Sequence, residues 1–202
     1  MSLKTHIENE LDPYLVEIDD GSHYPKTFIQ TLFKEGYFKE DDVKANSEVI
    51  EEVSKSCLTT GFCLWCQLAF STYLQNAEQP HLNKDLQHQL LSGEILGATG
   101  LSNPMKSFND LESFNLSHHY KDEQFIVNGR LPAISNIASE HYFGAISKSE
   151  TSDELVMFIV QANQEGVNIN EMSTFLGVNG SATFSIEMND VHIPEAHIIT
   201  HD

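Results

Sequence analysis

The chain has 202 residues, 40% of them hydrophobic and 20% charged, enough to bury a proper core in one large domain or two small ones. Acidic residues number 30 against 11 basic ones, a net charge of −19, and Arg130 is the only arginine. That balance argues against a nucleic-acid binder or a surface that docks on anionic lipid, since both need clustered cations. No apolar run reaches the ~20 residues of a membrane span, and residues 1–10 lack the basic-then-apolar order of a signal peptide. Cys57, Cys63 and Cys66 cannot all pair, and a reduced, cytoplasmic protein is expected.

Up to about residue 94 the hydrophobic period is helical. Asp12-Pro13 reads as an N-cap followed by proline at the first helical position. Leu15, Val16 and Ile18 lie behind it, and Asp19-Asp20-Gly21 is the stop. Pro25 opens a second helix through Phe28, Ile29, Leu32 and Phe33, with Gly36 at its C′ position. One long helix is predicted from about Glu48 to about Gln75, holding all three cysteines. From Leu58 onward it is apolar nearly all round, so it should be the most buried. Around Phe62, Trp65 and Ala69 it is expected either to line a ligand pocket or subunit contact or to be plain core. Asn83 caps a last helix through Leu86, Leu90 and Leu91, ended by Gly93.

After residue 94 the signals are those of strands. Asn128-Gly129 and Asn179-Gly180 read as turns. Phe125-Ile126-Val127, Tyr142 to Ile146 and Leu155 to Val160 are rich in aromatic or branched residues. Phe184, Ile186 and Met188 alternate with Ser185, Glu187 and Asn189, as a half-exposed strand should. The fold class is therefore α+β. A helical domain, residues 1–94, precedes an antiparallel β domain, residues 95–202.

Few groups carry chemistry by themselves. Cys63-Leu64-Trp65-Cys66 is a single C-x-x-C inside an apolar helix, read as two small buried side chains rather than a zinc or redox pair. His118 and His119 point to opposite faces of a strand, and His192, His197 and His201 are near one another by chance; no metal site is expected. There is no G-x-S-x-G, P-loop or G-x-G-x-x-G. What remains is the run from Ile95 to Pro104, whose small residues and hydroxyls let a backbone approach a flat or anionic ligand. Taken alone, the run reads more simply as a tight β turn.

Four stretches, in order, resemble the acyl-CoA dehydrogenases, a flavoprotein family. Ile18-Asp19 through Phe28 to Gly36 is similar to the family's opening segment. Gly97 to Pro104 is similar to its strand ending in Thr-Glu-Pro. Asn128-Gly129-Arg130-Leu131-Pro132-Ala133-Ile134-Ser135-Asn136 resembles its Asn-Gly-x-Lys-x-Trp-Ile-(Thr/Ser)-Asn segment. Leu176-Gly177-Val178-Asn179-Gly180-Ser181-Ala182-Thr183, with Asn189-Asp190-Val191-His192-Ile193-Pro194, resembles its Leu-Gly-x-Arg-(Gly/Ala)-Ser and Asp-Val-x-Val-Pro run.

The resemblance covers nearly the whole chain and implies the family's N-terminal α domain and its middle β domain, an antiparallel barrel or sandwich that holds FAD. It implies that Leu101-Ser102 faces the flavin ring as a strand end, with Ser102 and the backbone donating to the pyrimidine edge. Ala133, Ile134 and Ser135 form a second flavin contact, Ser135 near N5, and Ser107 reaches the pyrophosphate. Ser181 holds the family's Ser position. Donors beside the N1–O2 region stabilise the anion formed when hydride arrives. The implied partners are an acyl-CoA or other acyl thioester, an electron-transfer acceptor and further copies of the chain.

Departures accompany the likeness. Ala133 stands where the family has a flavin-stacking Trp, Asn103 where it has Glu, Met105-Lys106-Ser107 where it has Gly-Ala-Gly-Ser, and Asn179 where it has Arg. The family's C-terminal helical bundle, with its carboxylate base, falls beyond Asp202. No catalytic residue is therefore expected within the 202, which should be inactive and weak toward FAD by themselves. A flavin monooxygenase on this scaffold and a shortened, non-catalytic flavin or acyl binder are the alternatives.

Overall fold

Polar caps and one backbone break set the helices. The computed structural model describes residues 1–79 and 83–201, so Asp202, the end of the expected β domain, lies outside it. Helix α1, Leu3–His6, is capped by Ser2 and runs on through a π-helical turn, Ile7–Leu11, and a 3₁₀ turn, Asp12–Tyr14. The turns over residues 3–11 have no counterpart in the sequence reading, and Asp12, expected as an N-cap, is instead the first residue of the 3₁₀ turn, with Leu11 at the cap position. Helix α2, Leu15–Asp20, ends where Gly21 takes φ +87°, and α3, Lys26–Lys34, follows Pro25.

The single helix expected from Glu48 to Gln75 is two. Helix α4, Val43–Ser56, starts at Asp42, whose carboxylate accepts from the Ala45 N–H at 3.0 Å. Cys57 is extended, φ −143°, and α5, Leu58–Gln75, begins beside it. The Cys57 sulfur accepts from the Thr60 N–H at 3.4 Å and from the Thr60 hydroxyl at 3.1 Å, an N-cap made by a thiol. A Cβ on Gly61 would lie 2.0 Å from Ser54 Oγ, so a glycine is what brings α5 against α4. Helix α5 is not buried all round: Leu58 is 68% and Trp65 50% exposed, Trp65 stacking on Phe62 at 5.9 Å. Helix α6 spans Lys84–Leu91, with Asn83 at its N-cap position but making no capping bond, and Gly93 (φ +73°) beyond its end.

Among the described residues eight strands follow: β1 Gly97–Thr99, β2 Leu116–Lys121, β3 Gln124–Ile134, β4 Tyr142–Ser149, β5 Leu155–Gln161, β6 Val167–Asn170, β7 Phe184–Ile193 and β8 Ile198–His201. A short helix, α7 Ser102–Ser107, stands between β1 and β2. The sheet order is β6-β7-β3-β2-β4-β5-β8, with β1 beside β4. It is mostly antiparallel, but β1 and β2 each pair with β4 in parallel, which alternation alone does not reveal. The β2–β3 turn is made by Asp122 and Glu123, both at positive φ, as a type I′ turn requires. Asn128-Gly129 is no turn; it is a bulge inside β3. Ser185 was expected to face water and is fully buried, its hydroxyl accepting from Arg130 at 3.2 Å.

Three apolar clusters hold these elements. One is the β core around Val127, Phe143, Phe158 and Ile186, and one the helical core around Leu11, Ile29, Phe33 and Leu64. The third joins α5 and α6 to the sheet through Phe70, Leu74, Leu90, Ile159 and Ile199. It fixes β1 against α5, where the candidate site begins.

Candidate functional site

Strand β1 is seated by its glycine. A Cβ on Gly97 would fall 2.2 Å from the Phe70 ring. Its N–H donates to Gln67 Oε1 at 2.5 Å, and its carbonyl accepts from Asn136 Nδ2 at 2.7 Å. Thr99 ends the strand, its hydroxyl bonded to Tyr73 OH, and forms a bridge with Ser135. Thus the Gly97–Pro104 and Asn128–Asn136 stretches, distant in sequence, meet at the Thr99–Ser135 pair.

The chain leaves the sheet earlier than expected. Strand β1 stops at Thr99, the Gly100 N–H bonds Gly144 O at 2.8 Å, and Ser102 opens helix α7 rather than closing a strand. Leu101 is half-buried and Ser102 exposed. Asn103, in the place of the family's Glu, is 3% exposed; its amide donates to Glu112 and Ser113 and accepts from the Asn115 N–H. It ties down the loop after α7. The Ser107 hydroxyl donates to Asn103 O at 3.0 Å, and the residue lines a cleft of about 420 Å³ with Glu112, Ser113, Ser117, Ser149 and Lys148.

Across from β1, β3 slips register against β7 between Leu131 and Ile134, so Pro132 and Ala133 lie in a bulge. Proline has no N–H to lose there, and a bulge turns side chains away from the regular alternation. Ala133 and Ser135 are half-buried, whereas Ile134 points into the β core and is fully buried. Ile134 can therefore meet a ligand only through its backbone. The Ser135 hydroxyl bonds Thr183 Oγ1 at 2.7 Å, and Thr183 bonds Ser181 Oγ at 2.7 Å. Thr183 had no place in the expected site.

Asn136 is the frame behind these groups. It is fully buried at φ +63°, where asparagine is better tolerated than other side chains. Its amide oxygen accepts from Tyr24 OH at 2.5 Å, its N–H reaches Ser181 O at 2.8 Å, and its carbonyl accepts from His141 Nδ1 at 2.9 Å. Burial pushes the Tyr24 phenol up and pulls His141 down, so both stay neutral around this node. Asn179, in the place of the family's Arg, holds Phe175 and reaches Asp19 O at 3.3 Å. A Cβ on Gly180 would fall 2.4 Å from Ile18 O, so this turn lies directly on α2.

The remaining candidates lie elsewhere. Cys63 and Cys66 are fully buried, and burial pushes the Cys66 thiol to about 12 and Cys63 higher than its ordinary range, so neither is a thiolate at neutral pH. His118 is buried against Phe125 while His119 faces outward. His192 bonds Gln124, His197 packs on Tyr142, and His201 lies near Phe125. No described helix is long and apolar enough to cross a membrane.

No family model matches the sequence. It is 25% identical over 206 residues to the short-chain-specific acyl-CoA dehydrogenase of Clostridium acetobutylicum, covering 95% of this chain and 54% of that protein. The butyryl-CoA dehydrogenase of Megasphaera elsdenii superimposes with a TM-score of 0.82 at 19% identity, over 98% of this chain and 56% of that one. An acyl-CoA dehydrogenase complexed with FAD, from Bacillus anthracis, gives 0.82 at 20% identity, over 98% and 36%. The chain spans about half the length of the curated relatives it matches. Its fold is that of the N-terminal helical and middle β domains of the acyl-CoA dehydrogenases.

Proposed function

We propose that the chain is the FAD-holding part of an oxidoreductase of the acyl-CoA dehydrogenase type. The observation that supports this reading is the bridge between Thr99 and Ser135, which joins the strand leading to Leu101-Ser102 to the bulged Ala133–Ser135 segment. The donor set fits a flavin dinucleotide. Backbone and hydroxyl donors stand at one end of α7, and Ser107, three other serines and Lys148 stand at the other. Six residues of helix rise by roughly 8 Å, comparable with the reach of a ribityl chain.

When bound, FAD supplies the acceptor for a hydride leaving the β-carbon of an acyl thioester. The chain's own residues hold and tune it. Leu101 N–H and Ser102 Oγ would donate to the pyrimidine edge and Ser135 beside N5, and Lys148, paired with Asp153 at 2.7 Å, would offset pyrophosphate charge in the Ser107 cleft. Gly100 keeps this turn close to the sheet: an added Cβ would lie 2.9 Å from both Gly144 O and Leu131 Cδ1. Ala133 leaves part of the ring face uncovered. The exposed Leu58–Phe62–Trp65 face of α5 supplies apolar surface for an acyl chain. The groups gathered at Thr99, Ser135 and Thr183 are hydroxyls, none a base at neutral pH, so the α-proton is taken by a carboxylate from outside this cluster.

Equilibrium dialysis against FAD and riboflavin tests this reading. FAD should be held about fivefold or more tighter than riboflavin, roughly one charge-assisted contact, and Lys148→Ala should remove most of the difference. Equal affinities, or no binding of either, would contradict it.

A further inference from the structure

Ser135, Thr183 and Ser181 form a chain of three hydroxyls joined by two hydrogen bonds of 2.7 Å each. We infer that Thr183 and Ser181 are positioning residues that hold the Ser135 hydroxyl as a donor toward its open side, favouring the oxidised form of a bound flavin over the reduced. The inference rests on the FAD reading above.

Each hydroxyl has one hydrogen and two lone pairs, so the chain has three arrangements. In one, both serines donate to Thr183, whose own hydrogen then meets no acceptor among the described residues; the other two each run in one direction. In the outward one Ser181 donates to Thr183, Thr183 donates to Ser135, and Ser135 donates to whatever lies in front of it. In the inward one the order reverses, and the last hydrogen belongs to Ser181. Ser181 is fully buried, and among the described residues its hydroxyl has no partner but Thr183. The inward orientation therefore buries a donor without an acceptor, a cost large enough to suppress it about tenfold or more.

The anchor is also fixed in place. The Ser181 carbonyl accepts from the Asn136 N–H at 2.8 Å, its N–H donates to Val178 O at 3.0 Å, and Ala182 O accepts from the Ile137 N–H at 3.1 Å. Val178 (φ +58°) and Ala182 (φ +48°) flank it in left-handed backbone that non-glycine residues rarely adopt, a strain the surroundings must hold. Thr183 is β-branched and stiff at χ1. On the far side, the Thr99 hydroxyl bonds Tyr73, and the Ser135 hydroxyl bonds Thr183 rather than Thr99. A fixed donor suits the lone pair on N5 of an oxidised isoalloxazine. It meets the N–H of the reduced ring hydrogen to hydrogen.

The test is the dissociation constant of the 202-residue chain for oxidised FAD and, anaerobically, for dithionite-reduced FAD. Wild type, Thr183→Val, Thr183→Ser and Ser135→Ala are compared, with melts of each without FAD. The ratio of the reduced to the oxidised constant should fall about tenfold in Thr183→Val and Ser135→Ala, and stay within about twofold of wild type in Thr183→Ser. An unchanged ratio in Thr183→Val, or equal weakening of both forms, would overturn the inference while leaving FAD binding intact. If Thr183→Val does not fold, Ser135→Ala decides, and a wild-type ratio there overturns it. Binding of neither form by the wild type would remove the FAD reading and this inference together.

Discussion

The Tyr24 hydroxyl donates to the Asn136 amide oxygen across 2.5 Å, joining residues 112 positions apart in sequence. Tyr24 lies in the turn before α3, and Asn136 follows the last residue of the candidate flavin contact. Replacing Asn136 by Ala removes both amide bonds and leaves a β-carbon at φ +63°. A loss of about 2–4 kcal/mol in urea unfolding is expected, against about 1–2 for Tyr24→Phe, which leaves one buried acceptor unmet. Non-additive losses in the double variant would show that the two act as one contact; strict additivity would show that they do not.

Gly61 and Ser54 set how α4 meets α5. Gly61→Ala places a carbon 2.0 Å from Ser54 Oγ and 3.1 Å from its Cβ. Overpacking of this kind costs about 1–3 kcal/mol, and Ser54→Ala in the same chain should recover most of it. Equal melting temperatures for the single and double variants would show that the crossing is not limited by this contact.

The pH dependence has two limbs with opposite causes. Burial works against a charged His6, but Glu10 at 2.8 Å and Glu35 at 2.9 Å together outweigh it and raise its pKa. Its contribution is complete below the ordinary value of 6.5 and is lost as pH rises through the raised value. On the acid side, burial lowers His141 and His118, so their contribution is complete above 6.5 and fades as pH falls toward the depressed values. Glu140, held down to about 2 chiefly by the hydrogen bond from Lys26, contributes above 4.5 and is lost toward 2. Both groups of this last pair are part exposed, so its share is small. His6→Gln should flatten the alkaline limb and His141→Gln should shift the acid limb downward, read as urea midpoints from about pH 4 to about pH 9. Unchanged limbs in both variants would sink this assignment.

Much of this was legible because it rests on local chemistry. Gly21 and Gly36 at positive φ ended α2 and α3 where the pattern placed them, and the runs at Phe125, Tyr142 and Leu155 became β3, β4 and β5. The failures were non-local. Cys57 breaks the long helix through a thiol cap that apolar periodicity does not register, and the Asn128-Gly129 pair serves a bulge instead of a turn. At the site, Ser102 and Ser135 could be named from family motifs, but Thr183 reaches Ser135 only because β3 and β7 are neighbours. The exposed side of Trp65 was one of two readings left open, since an apolar run does not say which face the core leaves uncovered.

Acyl-CoA oxidation is a separate matter from flavin binding. The FAD-loaded 202-residue chain should not reduce an artificial electron acceptor with any acyl-CoA, because a missing general base costs ~10²–10⁴ in rate. Glu187 and Asp190 are exposed, and Asp190 is bonded to Asn128. Turnover abolished by Glu187→Gln would mark a base within the chain.

The central claim is that the Leu101–Ser102 and Ala133–Ser135 segments form one flavin-binding face. Titration of FAD fluorescence with the wild type, Ser102→Ala, Ser135→Ala and Ala133→Trp tests it most directly. Saturable quenching is predicted, weakened about fivefold or more by each loss of a hydroxyl and strengthened by Ala133→Trp, which covers the ring with an aromatic face. Absence of quenching, or an affinity that none of the three substitutions changes, would contradict it.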